Sequence, residues 1–227
     1  MITDNINKII KELPSGVQLV AVSKYHPASA IAEAFASGQK VFGESRPQEL
    51  QKKVYELDNP DIQWHFIGHL QTNKLNMVLP YVSMVESVDS VHLLEEIDKW
   101  GRAHDRTIDV LLEMHIASED TKQGFTEEDL LDFLFKYTDN PGKFPAIRLR
   151  GLMGMASNAD NISVIDADFE RIDSYMAYLV DLFGELKDFN QLSIGMSSDW
   201  PVAVKHGATI VRLGSAIFGD HSLGDRA

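Results

Sequence analysis

Val17-Gln-Leu-Val-Ala-Val22 is a nearly unbroken apolar run that passes directly into Ser23-Lys24-Tyr25-His26. A strand with one face in water alternates apolar and polar residues. A run this continuous belongs to a strand buried on both faces, as in a parallel sheet covered by helices. Pro27–Phe35 then has helical spacing, and Gly38 stops it.

The same strand–loop–helix unit recurs down the chain. Val41-Phe42 is a second short strand followed by a helix over Pro47–Leu57, and Gln63–Ile67 a third followed by a helix from about Thr72. Val82–Val85 is the fourth, with Ser90 capping the helix Val91–Ala103. Ile108–His115 and the helix Glu127–Lys136 form the fifth unit. Ile147–Leu152 is the sixth strand, and the polar segment Ser157–Ser163 leads into a helix over Ile165–Leu186. Gln191–Ile194 with the helix Ser197–Lys205 is the seventh unit, and Ala208–Leu213 the eighth strand. Upstream, Met1–Leu13 reads as an amphipathic helix. Eight regular alternations with short connections predict a closed parallel (β/α)8 TIM barrel, one domain over residues 1–227 with an N-terminal helix. A doubly wound open sheet fits less well, because eight such units close naturally into a ring.

Composition narrows the function. The chain has 21 Lys and Arg against 34 Asp and Glu, a formal charge of −13. That field repels phosphate backbones and anionic lipid heads, and no basic run offsets it locally, so neither a nucleic-acid nor a membrane partner is expected. The chain has no cysteine, which excludes disulfides, thiolate metal sites and a thiol nucleophile. No run matches a signal-peptide core or a membrane span, so a cytoplasmic protein is expected, acting as a monomer.

In such a barrel the chemistry sits where strands end. Lys24 directly follows the first strand. A primary amine held at the mouth is the group that attacks an aldehyde; the plain alternative is a lysine that only reaches for water. Gly195-Met-Ser-Ser-Asp199 joins the seventh strand to its helix with hydroxyls and backbone N–H groups, a composition suited to phosphate. Read structurally, Ser197 or Ser198 is simply a helix cap. Gly214-Ser215 provides a second turn after strand eight, beside Arg212. Met153 and Met155 read as packing at the mouth, where Met155 can also line an aromatic ligand. His65 and His69 lack a third ligand at sensible spacing, so no metal site is expected, and His65 beside Trp64 reads as a core residue. No carboxylate pair stands out at the strand ends.

Seven stretches in register resemble the pyridoxal phosphate homeostasis protein family, which is related to the N-terminal barrel of alanine racemase. They are Ala21-Val-Ser-Lys24, Phe42-Gly-Glu44, Trp64-His-Phe-Ile-Gly68, Leu70-Gln-Thr-Asn-Lys74, Gly151-Leu-Met-Gly-Met155, Ser193-Ile-Gly-Met-Ser197, and Val211-Arg-Leu-Gly214 with Ile217-Phe-Gly219. The resemblance implies a single-domain, fold-type III barrel that holds pyridoxal 5′-phosphate as a Schiff base on Lys24. It implies that Ser197, with backbone from Ser198 and Gly214, holds the phosphate, and that Arg212 faces the pyridine nitrogen. Ser45 and Met155 join the cofactor contacts. The family usually has Asn at the position of Ser45, so the side chain available from this loop is shorter here. A cation at the pyridine nitrogen leaves the ring a weak electron sink.

The implied function is a carrier without amino-acid turnover, which limits the free aldehyde and delivers it to apo-enzymes. The alternative is a fold-type III racemase or decarboxylase. Such enzymes complete their sites with a second β-domain and usually a partner subunit, whereas only Ala216–Ala227 follow strand eight here. A barrel enzyme acting on a phosphorylated sugar would not explain the set of stretches.

Overall fold

Parallel strands leave both faces of a sheet in need of cover, and a ring of helices outside with side chains inside supplies it. The computed structural model describes residues 1–117, 123–159 and 161–219; the part of the C-terminal segment from 220 onward lies outside them. In chain order the elements are α1 (Ile2–Glu12), β1 (Gln18–Val22), α2 (Ala28–Ala36), β2 (Val41–Glu44), α3 (Pro47–Leu57), β3 (Gln63–Phe66), α4 (Leu75–Val78), β4 (Val82–Val88), α5 (Val91–Ala103) and β5 (Ile108–Met114). They continue with α6 (Glu127–Asp139), β6 (Ile147–Gly154), α7 (Ile162–Leu182), β7 (Gln191–Ser193), α8 (Trp200–Lys205), β8 (Ile210–Leu213) and α9 (Ser215–Phe218). Each strand pairs in parallel with the next, and β8 closes on β1 from Gln18↔Ile210 to Ala21↔Leu213, so the sheet is a closed barrel.

Several boundaries differ from the sequence reading for identifiable reasons. β4 and β6 run past their apolar stretches to Val88 and Gly154, because the ladder to β5 continues through Val88↔Leu112 and Met114↔Gly154. After β3 a 3-10 turn, Thr72–Lys74, takes up much of what was expected to be helix, and α4 has only four residues. The helix after β7 begins at Trp200 rather than Ser197, with Asp199 at its cap and Pro201 in its first turn.

One hydrophobic cluster fills the space between barrel and helices, and a smaller one lies inside the barrel: Val20, Val41, Met84, Leu111, Met153 and Ile210. Inward positions recur every second residue along a strand. Two residues further toward the mouth, the inward set becomes Val22, Gly43, Glu86, Glu113 and Arg212. Gly43 does face the interior: a Cβ there would lie 3.0 Å from Val20 Cγ1 and 3.1 Å from Ile67 Cδ1. An apolar floor therefore carries a polar layer, and the loops at the strand ends form the next level up.

Candidate functional site at the barrel mouth

The polar layer is a connected network. Glu86 is fully buried; its Oε1 lies 2.6 Å from His65 Nδ1, and its Oε2 accepts the Ser193 hydroxyl at 2.6 Å. Arg212, also buried, donates through Nη1 to the Ser193 carbonyl at 2.8 Å and to Ser193 Oγ at 2.6 Å, and through Nη2 to the Gly154 carbonyl at 3.0 Å. Arg212 Nη1 is 3.7 Å from Glu86 Oε2. Burial alone would raise the Glu86 pKa, but His65, Arg212 and Ser193 together hold it below the ordinary carboxylate range. Burial pulls the Arg212 pKa down, against the attraction of Glu86, Glu113 and Asp199. Glu113 is raised, first by burial and then by repulsion from Asp89.

Glu86 and Glu113 are buried carboxylates toward the ends of β4 and β5 that the sequence does not single out. Glu86 lies just past the apolar run that marks β4 in the sequence, inside the strand as the structure has it. The signal that could have found it is the alternation from Met84. His65 takes the buried, hydrogen-bonded place expected of it, while His69 is an exposed side chain paired with Asp89 at 3.0 Å.

Above this layer, Ser23–His26 forms a turn closed by His26 N–H donating to the Ser23 carbonyl at 3.0 Å. Half-buried Lys24 is its second residue. β8 lies beside β1, and its loop passes close: a Cβ on Gly214 would be 3.3 Å from the Val22 carbonyl oxygen. The Gly214 and Ala216 N–H groups converge on Ser197 Oγ at 3.1 and 3.2 Å, tying together the loops after β7 and β8. Ser197 and Ser198 lie ahead of α8 and do not begin it, and the backbone N–H groups gathered on Ser197 Oγ belong to the turn after β8.

Asp199, also unforeseen, shapes the β7 loop by accepting the Met196 N–H at 2.5 Å, and burial raises its pKa. Gly195 is required there: its φ is +93°, and a Cβ would lie 2.6 Å from Ala203 Cβ. Ser198 and Met155 are exposed, and Ser45 is half-buried. Ser45 is held by a close approach from the next loop, where a Cβ on Gly68 would come within 2.3 Å of the Ser45 carbonyl oxygen.

The sequence-derived candidates thus fall on consecutive strand ends: Met155 at β6, Ser197 and Ser198 after β7, Arg212 and Gly214 at β8, Lys24 after β1 and Ser45 after β2. His65, Glu86 and Glu113 come from the facing strands β3, β4 and β5. Among the described residues no helix is long and apolar enough to cross a membrane, and no group of three or more His, Cys, Asp or Glu side chains is placed to hold a metal.

Comparisons with known proteins bear on this arrangement. Residues 1–222 match the family described as the alanine racemase N-terminal domain. The pyridoxal phosphate homeostasis protein of Aquifex aeolicus is 38% identical over 208 residues, spanning 89% of this chain and 86% of that protein. PipY of Synechococcus elongatus PCC7942 has been solved without pyridoxal phosphate (TM-score 0.90, 37% identity) and with it bound (TM-score 0.86, 36% identity). Both matches cover 96% of this chain and 100% of PipY. The chain belongs to the pyridoxal phosphate homeostasis protein family, built on the alanine racemase N-terminal barrel.

Proposed function

We propose that this chain, acting as one barrel unit, binds pyridoxal 5′-phosphate as a Schiff base on Lys24 and serves as a store of the cofactor without turning over amino acids. One observation carries the reading: Lys24 is the second residue of the turn after β1, and the loop after the neighbouring β8 brings two backbone N–H groups together on Ser197 Oγ. PipY, described with pyridoxal phosphate bound, has the same fold at 36% identity. The donor set fits the group: an amine for the aldehyde, N–H and hydroxyl donors for the phosphate, and the buried guanidinium of Arg212 in β8 for the ring. When bound, the cofactor supplies an aldehyde that condenses with a primary amine, forming a C=N bond and releasing water.

Lys24 provides that amine. Ser197, the Ser198 backbone and Gly214 hold the phosphate, and Met155 and Ser45 flank the ring. Arg212 would face the pyridine nitrogen, held in place by its hydrogen bonds to Ser193 and the Gly154 carbonyl. A cation there, in place of a carboxylate, supports holding and exchanging the aldehyde over stabilising a carbanion. The intended recipients are apo-enzymes that use the cofactor. The protein acts as a monomer in the cytoplasm, and its charge of −13 supports a role away from nucleic acids and anionic membranes.

The test is borohydride reduction of the loaded protein followed by peptide mass analysis, with a parallel incubation with L- and D-amino acids in deuterated water. The phosphopyridoxyl label is expected on Lys24, with Cα exchange no faster than free pyridoxal phosphate gives. A label on Lys74 or Lys205 with Lys24 clean would sink the attachment. Fast exchange that Lys24→Ala abolishes would replace the carrier by a racemase- or decarboxylase-type enzyme.

A further inference from the structure

Lys53 lies in the middle of α3 and is only 3% exposed. A buried ammonium needs acceptors for its three N–H bonds. Lys53 Nζ has three: the Ser23 carbonyl at 2.7 Å, Glu44 Oε1 at 2.7 Å and Glu49 Oε1 at 2.8 Å. Ser23 Oγ donates to the same Glu44 oxygen at 2.6 Å, and Glu49 Oε1 also accepts the Tyr25 N–H at 2.5 Å.

The two peptide groups held in this way flank Lys24. Lys53 grips the carbonyl of the Ser23–Lys24 peptide, and Glu49 the N–H of the Lys24–Tyr25 peptide. Peptide groups are planar, so φ and ψ of Lys24 are the rotations that relate these two planes. Fixing both planes fixes the direction in which the lysine side chain leaves the backbone. The turn so held is strained. Tyr25 has φ +68° at the third position of a turn closed by His26 N–H on the Ser23 carbonyl, the type II pattern that favours Gly or Asn. Arg46 adds a hold from outside, its guanidinium 4.7 Å from the Tyr25 ring centroid and donating to the Tyr25 hydroxyl at 3.2 Å. Backbone strain persists only where the surroundings over-determine it, and it concentrates at functional sites.

We propose that Lys53, with Glu44 and Glu49, is a positioning device for Lys24: it holds the strained turn in the arrangement that aims the Lys24 amine at the bound aldehyde. This rests on Lys24 being the attachment point. The experiment compares wild type, Lys53→Met and Glu49→Gln in the full chain against pyridoxal 5′-phosphate and pyridoxine 5′-phosphate. The second ligand carries an alcohol in place of the aldehyde and so reports the phosphate and ring contacts alone. Lys53→Met is expected to weaken attachment at Lys24 roughly ten- to hundred-fold, as a small misplacement of a reacting group can, with pyridoxine phosphate affinity within about twofold of wild type. Attachment is read by visible absorbance on titration and by the borohydride-trapped peptide. Glu49→Gln keeps an acceptor without the charge and should lose less, again for the aldehyde ligand only. Equal losses for both ligands, or no loss for the aldehyde, overturns the proposal. If Lys53→Met does not fold, Glu49→Gln, at a half-buried position, decides the same comparison. A wild-type label elsewhere than Lys24 would sink the attachment and the clamp together. A wild-type label on Lys24 with both variants unchanged would sink the clamp alone.

Discussion

Inside the barrel, Arg212 shares a buried network with Glu86, His65 and Ser193; outside the wall, between the barrel and α3, Lys53 shares one with Glu44, Glu49 and Ser23. Lys53 sits 2.7 Å from Glu44, whereas Arg212 is 3.7 Å from Glu86. Distance to the cation alone would give Glu44 the lower pKa, yet burial raises Glu44 while Glu86 is held low. The distribution of donors explains this. Glu86 has a partner on each oxygen, His65 on Oε1 and Ser193 on Oε2. Glu44 receives both Lys53 and Ser23 on Oε1, and its buried Oε2 has no hydrogen-bond partner among the described residues. A carboxylate resists desolvation when both oxygens are satisfied. One oxygen left bare tips the balance toward the neutral acid.

The largest expected effect comes from removing each cation. Arg212→Leu strands a carboxylate firmly held in its charged form and should cost about 3–5 kcal/mol of unfolding free energy. Lys53→Met should cost less, about 1–3 kcal/mol, because Glu44 can take up a proton in place of the lost partner. The Lys53→Met deficit should also shrink at lower pH, where that protonation is easier. Urea unfolding at neutral and mildly acidic pH measures both. Equal costs at both pH values would show that donor distribution does not govern the two sites.

The contrast also marks what could be read from the sequence. The apolar run of β1 and its recurrence made the barrel legible, since strands buried on both faces leave a continuous hydrophobic signal. Lys24, Ser197 and Arg212 were legible because they border such runs. Lys53 was not: it lies in a charged helix, and its sign is only its place on the stripe Leu50, Lys53, Val54, Leu57, where a residue at that spacing faces the barrel. Tyr25 gives no local signal at all, because a type II turn calls for Gly or Asn at that position, and tertiary contacts override the preference. The start of α8 was misplaced because Ser197, Ser198 and Asp199 can each cap a helix, and only the fold selects Asp199.

A smaller effect separates the carboxylates by sign. Glu86, lowered in the folded state, contributes stability that is complete above the unfolded carboxyl pKa of about 4.3 and is lost as pH falls through the folded value. Glu44, raised, contributes stability that is complete below the unfolded pKa and is lost as pH rises through its folded value. Stability curves from acid to neutral pH should therefore shift in opposite directions. Relative to wild type, Glu86→Gln should lose ground as pH rises, and Glu44→Gln should gain it. Parallel curves for the two variants would show that both carboxylates share one environment.

The subtlest change sharpens the comparison most, because it alters one hydroxyl in each network and no formal charge. Ser193 Oγ donates to Glu86 Oε2 and accepts from Arg212 Nη1, both at 2.6 Å. In Ser193→Ala, Arg212 Nη1 keeps the Ser193 carbonyl at 2.8 Å, but Glu86 Oε2 is left with only the guanidinium at 3.7 Å. A buried charged oxygen loses its hydrogen bond, so the change should cost about 1–3 kcal/mol. Ser23 Oγ donates to Glu44 Oε1, which in Ser23→Ala still accepts from Lys53 at 2.7 Å. That substitution removes a hydrogen bond without creating a newly bare oxygen and should cost only about 0.5–1.5 kcal/mol. Both serines are buried and both become the same residue, so differences in packing largely cancel between the variants. Denaturant midpoints measured side by side give the order. If Ser23→Ala proves the costlier, Glu44 depends on that hydroxyl more than the contacts indicate, and a bare second oxygen would no longer account for its raised pKa.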